Sequence, residues 1–127
     1  MKPLERDLDL ISVIEADAQT LRSRIDRFQL DEERFVYDRS EEGELAFDAV
    51  MSPVYRIAED ALHLSAEVVD CLPELPWREI RGFRNFVAHG YREIDRRIAW
   101  EVATRDIPLI AAELSRYREA ARGDSAS

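Results

Sequence analysis

The chain has 127 residues, with 27 Asp or Glu against 18 Lys or Arg, so its formal net charge is -9. This length suits one compact domain, and 46% hydrophobic with 35% charged residues is typical of a folded globular chain rather than a disordered one. The lone cysteine, Cys71, excludes an internal disulfide framework and a thiolate zinc cluster. No apolar leader and no run of membrane-spanning length is present, so we expect a cytoplasmic protein.

Apolar residues at steps of three and four predict helices from the start of the chain. The first helix is expected from Leu4 to Phe28, and a short second helix follows the acidic start at Asp31. The polar segment 38–43 contains a glycine and is predicted to be the main internal loop.

A second long helical pattern extends from Leu45 to Leu72 and contains Pro53. Either the helix kinks at this proline, or Ser52 caps a new helix there; we favour a kinked, continuous helix. The two prolines of segment 72–76 then break the pattern, and Pro76 is expected as the first residue of the next helix.

That next helix is predicted to end at Gly90, and Asp95 to cap a further segment. Pro108 kinks or restarts a last helix through Tyr117. No segment shows strand-like alternation. We therefore predict an all-α fold, an up-and-down bundle of four to five helices over residues 1–122, followed by a flexible tail at 123–127.

Common catalytic signatures are absent from the sequence, including phosphate-binding glycine loops, the G-x-S-x-G elbow and the H-E-x-x-H zinc motif. Only two histidines and one cysteine are present, so a transition-metal site would have to rely on carboxylates. We predict no metal site and no cofactor.

The predicted helix before Gly90 carries an arginine, an asparagine and a histidine. Asn85 and His89 are four residues apart and share a helix face, so the amide can orient the imidazole. Arg84 can reach the same cleft if His89 lies at the helix end. A guanidinium neutralises phosphate oxygens and an imidazole moves a proton near neutral pH. RNA suits this pair, because its 2′-hydroxyl is an internal nucleophile that needs no metal-bound water.

The pattern Arg84-Asn85-x-x-x-His89-x-Tyr91 resembles the R-x4-H-x-Y motif of the HepT family, ribonuclease toxins of the HEPN superfamily. The resemblance extends to residues 57–61 and 75–80 before the motif, and to residues 94–95, Trp100 and residues 106–108 after it. Pro53 departs from the polar pair that family members usually carry at this place in the long helix.

The resemblance implies a HEPN-like bundle and a metal-independent endoribonuclease toxin, in which two protomers pair and their motifs form a shared cleft. It implies that Arg84 and His89 are catalytic and that Asn85 supports His89. It also implies that an MntA-like nucleotidyltransferase antitoxin neutralises the toxin by AMPylation of Tyr91. The alternative is a non-catalytic HEPN module that binds a nucleotide or docks a nucleotidyltransferase.

Several other residues have a structural reading beside a functional one. His63 is interpreted as structural or merely exposed, Trp77 and Trp100 as core or interface anchors, and Cys71 as inert. The arginines near the motif either line an RNA groove or are ordinary solvated charges; they are Arg78, Arg81, Arg92, Arg96 and Arg97.

The acidic balance at first argues against RNA as a partner. Residues 77–97, however, contain six arginines and three acids, a net +3, which leaves -12 for the rest of the chain. We therefore expect RNA contact to be confined to a locally basic cleft, with no DNA and no membrane as partner.

Overall fold

The computed structural model describes residues 5–90 and 93–126, with side chains as far as residue 123. Within these residues the chain is helical and contains no strand, which confirms the predicted all-α class. The elements in order are α1 (Glu5–Arg27), α2 (Glu32–Tyr37), α3 (Glu41–Ala61), α4 (Ala66–Cys71), α5 (Trp77–Gly90), α6 (Arg96–Glu101), a π-helical turn (Val102–Asp106) and α7 (Ile107–Ala126).

Three helices begin at side-chain caps. Asp31 accepts a hydrogen bond from the Arg34 amide at α2, and Asp95 accepts one from the Arg97 amide at α6. Ser40 accepts one from the Gly43 amide at α3. Each cap satisfies an amide that has no partner within its helix. The predicted helix starts near Asp31 and Asp95 are therefore confirmed.

Helix α3 lies at the centre of the bundle. It packs most extensively on α1 and also contacts α5, α2 and the π-helical turn, while α7 lies along α1. The apolar side chains of these helices form one continuous core, whose fully buried members include Ile11, Ile14, Val54, Ile57, Ile80, Ile107, Ile110 and Leu114. Because α5 packs on the central helix, its position relative to α3 is fixed by core packing.

The loop predicted at 38–43 is shorter than expected, and this prediction was wrong at its end. Helix α3 already begins at Glu41, and Gly43 is buried in its first turn. A Cβ atom on Gly43 would lie 2.2 Å from the carbonyl oxygen of Asp38. The glycine is therefore needed for a close approach between the α2–α3 connection and α3, rather than for a loop conformation.

The long helix predicted from Leu45 to Leu72 ends earlier, at Ala61, although it runs through Pro53 without interruption. The amide and hydroxyl of Ser65 donate to the two carboxylate oxygens of Asp7, at 2.9 and 2.7 Å. Asp7 is only 1% exposed. This contact from α1 fixes a corner between α3 and α4, so the helix breaks where a distant partner holds the backbone.

Helix α6, the π-helical turn and α7 follow one another without a gap, but the hydrogen-bond spacing changes in the turn. At the end of the π-helical turn, the amide of Ile107 donates to the carbonyl of Val102, five residues earlier. Helix α7 starts at Ile107, next to Pro108, which agrees with a restart at this proline. It continues through Ala126, so helical backbone extends into the segment 123–127 that was expected to be flexible.

The position of Pro76 relative to the start of α5 also differs from the prediction by one residue. Helix α5 starts at Trp77, and the carbonyl of Pro76 accepts from the amide of Ile80, so Pro76 precedes the helix instead of being its first residue. At its other end, Gly90 has a φ of 147°, a conformation that favours glycine, and α5 stops there as predicted.

Among the described helices, none has both the length and the apolarity needed to cross a bilayer.

Candidate active site

Helix α5 buries one face and exposes the other. Ile80, Phe83 and Val87 point into the core. The opposite face is solvent-exposed over the described part of the helix and includes Arg78, Arg81, Asn85, Phe86 and His89. The spacing of three and four residues places the polar groups of the motif on this exposed face.

Arg84 lies at the boundary between the two faces and is held by a carboxylate of α3. Its Nε donates to Oε2 of Glu59 at 2.6 Å, and its Nη2 donates to Oε1 at 3.2 Å. Both side chains are 32% exposed. The hydrogen bonds from Arg84 lower the pKa of Glu59, and Glu59 raises the pKa of Arg84. This two-bond contact fixes the plane of the guanidinium as well as its position.

Asn85 is hydrogen-bonded to Arg84 and, among the described residues, not to His89. Its Oδ1 accepts a long hydrogen bond from Arg84 Nη1, at 3.4 Å. The side-chain hydrogen bond expected between Asn85 and His89 is not formed within this single chain. Helical spacing brings the two residues to one face, but it does not bring their polar atoms together.

His89 is exposed in the last turn of α5, directly before Gly90. It forms no hydrogen bond or ion pair with any residue that the structure describes. Among the described residues, neither ring nitrogen has a hydrogen-bond partner. Tyr91 and Arg92, predicted as the modification site and as an RNA contact, lie outside the described residues.

Glu59 was not singled out by sequence reasoning, although it lies in the segment 57–61 that carries part of the family resemblance. His63 follows Glu59 by four residues, a spacing that indicates a contact between these two side chains but not the pairing of Glu59 with Arg84. In the structure His63 Nε2 lies 3.6 Å from Glu59 Oε1. The His63 side chain is well exposed, which agrees with its interpretation as a structural or merely exposed histidine.

An open cavity of about 460 Å³ adjoins the exposed face of α5. It lies beside Asn85 and Arg81, with apolar walls from Leu62, Val69 and Trp77. The indole of Trp77 donates to the carbonyl of Leu72 at 2.7 Å. This cavity therefore combines apolar surface with polar groups directly next to the motif.

The two tryptophans pack as expected for core residues, whereas the cysteine is exposed. Trp77 and Trp100 both pack against the core, and the Trp100 ring lies 5.2 Å from that of Phe35. Cys71 is exposed at the end of α4 as a free thiol.

Arg96 is not available to line a groove, which corrects the expectation for this residue. It is 5% exposed, its guanidinium lies 3.7 Å from the centre of the Phe47 ring, and its Nη2 donates to the Glu44 carboxylate. Arg97 contacts the ring and hydroxyl of Tyr37. Arg78 and Arg81 remain exposed on α5. Part of the positive charge predicted for segment 77–97 is therefore engaged within the fold, since Arg96 pairs with Glu44 and Arg97 contacts Tyr37.

Among the described residues, no group of three His, Cys, Asp or Glu side chains is arranged to hold a metal ion. Helix α5 carries a guanidinium, an amide and an imidazole, those of Arg84, Asn85 and His89. Together they can bind an oxyanion and move a proton.

Similarity to known proteins covers most of this architecture. The model of the HepT-like ribonuclease family matches residues 18–117. A Methanocaldococcus jannaschii protein named "Putative RNase MJ1380" is 30% identical over 52% of this chain and 61% of its own length. A Thermococcus cleftensis protein named "Probable ribonuclease HepT" is 28% identical over 56% of this chain and 64% of its own length.

A third relative, from Caldanaerobacter subterraneus and named "Putative RNase TTE0752", is 33% identical over 53% of this chain and 68% of its own length. The chain spans less than two thirds of the length of the first two relatives. No solved structure matches it. The family match includes α3, with Glu59, and the whole of α5, with Arg84, Asn85 and His89. The chain therefore belongs to the HepT-like ribonuclease family.

Proposed function

We propose that this protein is an endoribonuclease toxin that cuts RNA without a metal ion. The observation that carries this proposal is His89, exposed at the end of α5 with both ring nitrogens unpartnered among the described residues, on the helix that also carries Arg84. Family membership supports the choice of RNA, and so do the names of the relatives.

The reaction follows from the chemistry of the two side chains. The neutral imidazole of His89 takes the proton of the 2′-hydroxyl, and that oxygen attacks the adjacent phosphorus. The bond from phosphorus to the 5′-oxygen breaks, the 5′-oxygen leaves with a proton, and a 2′,3′-cyclic phosphate remains. Arg84 stabilises the charge that builds up on the non-bridging oxygens. Arg78 and Arg81, exposed along α5, are placed to contact neighbouring phosphates.

A homodimer completes this proposal. One chain offers a single His89, whereas the reaction uses a base and an acid, so a second copy would supply the other histidine. Phe86 supports pairing along α5, because it is 53% exposed and lies three residues before His89. Aromatic residues are enriched in protein–protein interfaces relative to the rest of the surface.

A cleavage assay tests the proposed activity. The wild-type protein is expected to cut RNA in EDTA and to leave 2′,3′-cyclic phosphate ends, while His89→Ala loses at least about 100-fold in rate because the proton transfer is removed. The matched control is His63→Ala, which changes the other histidine. It is expected to retain cleavage, because His63 only flanks Glu59 at 3.6 Å and the two hydrogen bonds from Arg84 to Glu59 remain when His63 is removed.

Intact RNA with wild-type protein at high concentration would contradict the enzyme proposal and favour a non-catalytic module. Equal cleavage by the wild type and His89→Ala would contradict the catalytic role of His89.

The proposed regulation is AMPylation of Tyr91 by an MntA-like nucleotidyltransferase antitoxin, and it rests on the family resemblance. The phenolic oxygen would attack the α-phosphate of ATP and release pyrophosphate. The added phosphodiester would place bulk and negative charge two residues from His89 and repel an RNA backbone. On co-expression with the partner enzyme, intact-mass spectrometry is expected to show added AMP on the wild type and none on Tyr91→Phe. An unmodified wild type would contradict this proposal.

A further inference from the structure

We infer that Glu59 is the positioning residue for Arg84 in the proposed cleavage reaction. This inference rests on the proposed function, and it adds a residue from a different helix to the motif on α5. Glu59 is not expected to touch the substrate; it acts by fixing the orientation of the guanidinium.

The hydrogen-bond pattern determines which part of Arg84 is left for a ligand. Glu59 engages Nε and one Nη2 proton, at 2.6 and 3.2 Å. Asn85 takes one Nη1 proton through the longer bond of 3.4 Å. A guanidinium has five N–H donors in one plane. The edge formed by the two terminal nitrogens is therefore still able to donate to a phosphate, and its direction is set by the plane of the Glu59 carboxylate.

Helix packing alone does not require this ion pair. Helices α3 and α5 are already joined through core residues such as Ile57, Ile80 and Phe83. Partly exposed ion pairs contribute little to folding stability, and the two partners here are each 32% exposed. A free arginine side chain samples many rotamers, so the main effect of the pair is to restrict the orientation of Arg84.

The Glu59 charge gives this role a kinetic signature. A carboxylate beside the guanidinium repels an approaching phosphate, so Glu59 weakens RNA binding while it orients the group that stabilises the transition state. Removing the charge but keeping the shape should separate these two effects. Glu59→Gln is expected to lower kcat and to leave KM unchanged or lower it, whereas a variant that only loosens the fold would not tighten binding.

The experiment compares four variants with the wild type in steady-state RNA cleavage: Glu59→Gln, Arg84→Ala, the double variant and Glu44→Gln. Glu59→Gln is expected to lose about 10- to 100-fold in kcat, the range associated with a displaced catalytic group. In the Arg84→Ala background the same substitution should have no further effect, because Glu59 acts through Arg84.

Glu44→Gln is the matched control. Glu44 is also on α3 and its carboxylate also binds an arginine of another helix, Arg96, at 2.9 and 3.0 Å. This ion pair joins α3 to α6 and not to α5, so Glu44→Gln is expected to lower the Tm and to leave kcat at the wild-type value. A wild-type kcat in Glu59→Gln, or a further loss on adding it to Arg84→Ala, would overturn the inference.

A second readout does not depend on cleavage. The Nε–H signal of Arg84 can be identified in a 15N NMR spectrum by its loss in Arg84→Lys. In the wild type we expect it to be protected from solvent exchange by Glu59, and in Glu59→Gln to exchange at least about 10-fold faster, as expected when a hydrogen bond to a charged acceptor is lost. If the wild type does not cleave RNA, the proposed function fails while this measurement still tests the positioning. Equal exchange in both proteins would overturn it.

Discussion

Replacing Arg84 with lysine is expected to lower kcat for RNA cleavage by about 100- to 1,000-fold, close to the loss for alanine, as found for removal of one transition-state donor. Lysine keeps the positive charge, but its ammonium group is a single compact donor centre. It cannot reproduce the two parallel bonds to Glu59 and at the same time offer a planar edge to a phosphate. Charge alone is therefore not expected to restore activity.

The measurement is single-turnover cleavage of a defined RNA, with folding checked by circular dichroism. The matched control is Arg116→Lys, since Arg116 is well exposed on α7 and, among the described residues, forms an ion pair only with Glu113 of its own helix. We expect wild-type rates for this control. Full activity of a folded Arg84→Lys variant would show that the site needs a positive charge but not the guanidinium geometry.

Replacing Gly43 with alanine is expected to reduce the free energy of unfolding by about 1–3 kcal/mol, the usual cost of inserting a methyl group into a closely packed site. The new Cβ would lie 2.2 Å from the Asp38 carbonyl oxygen and 2.5 Å from Asp38 Cγ. Backbone cannot move aside as a flexible side chain can. The α2–α3 connection must therefore shift, and the cap that Ser40 makes on the Gly43 amide is weakened.

Gly82→Ala is the control for this prediction, because a Cβ at Gly82 meets nothing within 4 Å. In the middle of α5, alanine is expected to raise the free energy of unfolding by about 0.5–1 kcal/mol through its higher helix propensity. Both variants can be compared by urea denaturation. Equal stability of Gly43→Ala and the wild type would contradict the close approach seen in the structure.

Local patterns were sufficient for the helices and for the order of the motif residues. The apolar periodicity of α1 and the caps at Asp31 and Asp95 depend on residues within one turn, so the sequence shows them directly. The same holds for Gly90 at the end of α5. These features need no knowledge of which helices meet.

Predictions failed where a long-range partner decides the outcome. The break after Ala61 depends on Asp7, and the buried position of Arg96 depends on Phe47 and Glu44. In the candidate site, the pairing of Glu59 with Arg84 joins two helices and has no signature in spacing. Periodicity shows which face of a helix is apolar, but it does not show which polar side chain lies opposite.

The contact between Asp7 and Ser65 also makes two remote parts of the chain depend on each other. Asp7 lies in the first turns of α1, and it holds the corner from which the backbone proceeds to α4 and then to α5. When that end of α1 opens, the Ser65 amide loses its acceptor, although the two residues are 58 positions apart. We therefore expect the start of α1 and the approach to the motif helix to open together, so that hydrogen exchange at Ser65 follows fraying at the start of α1.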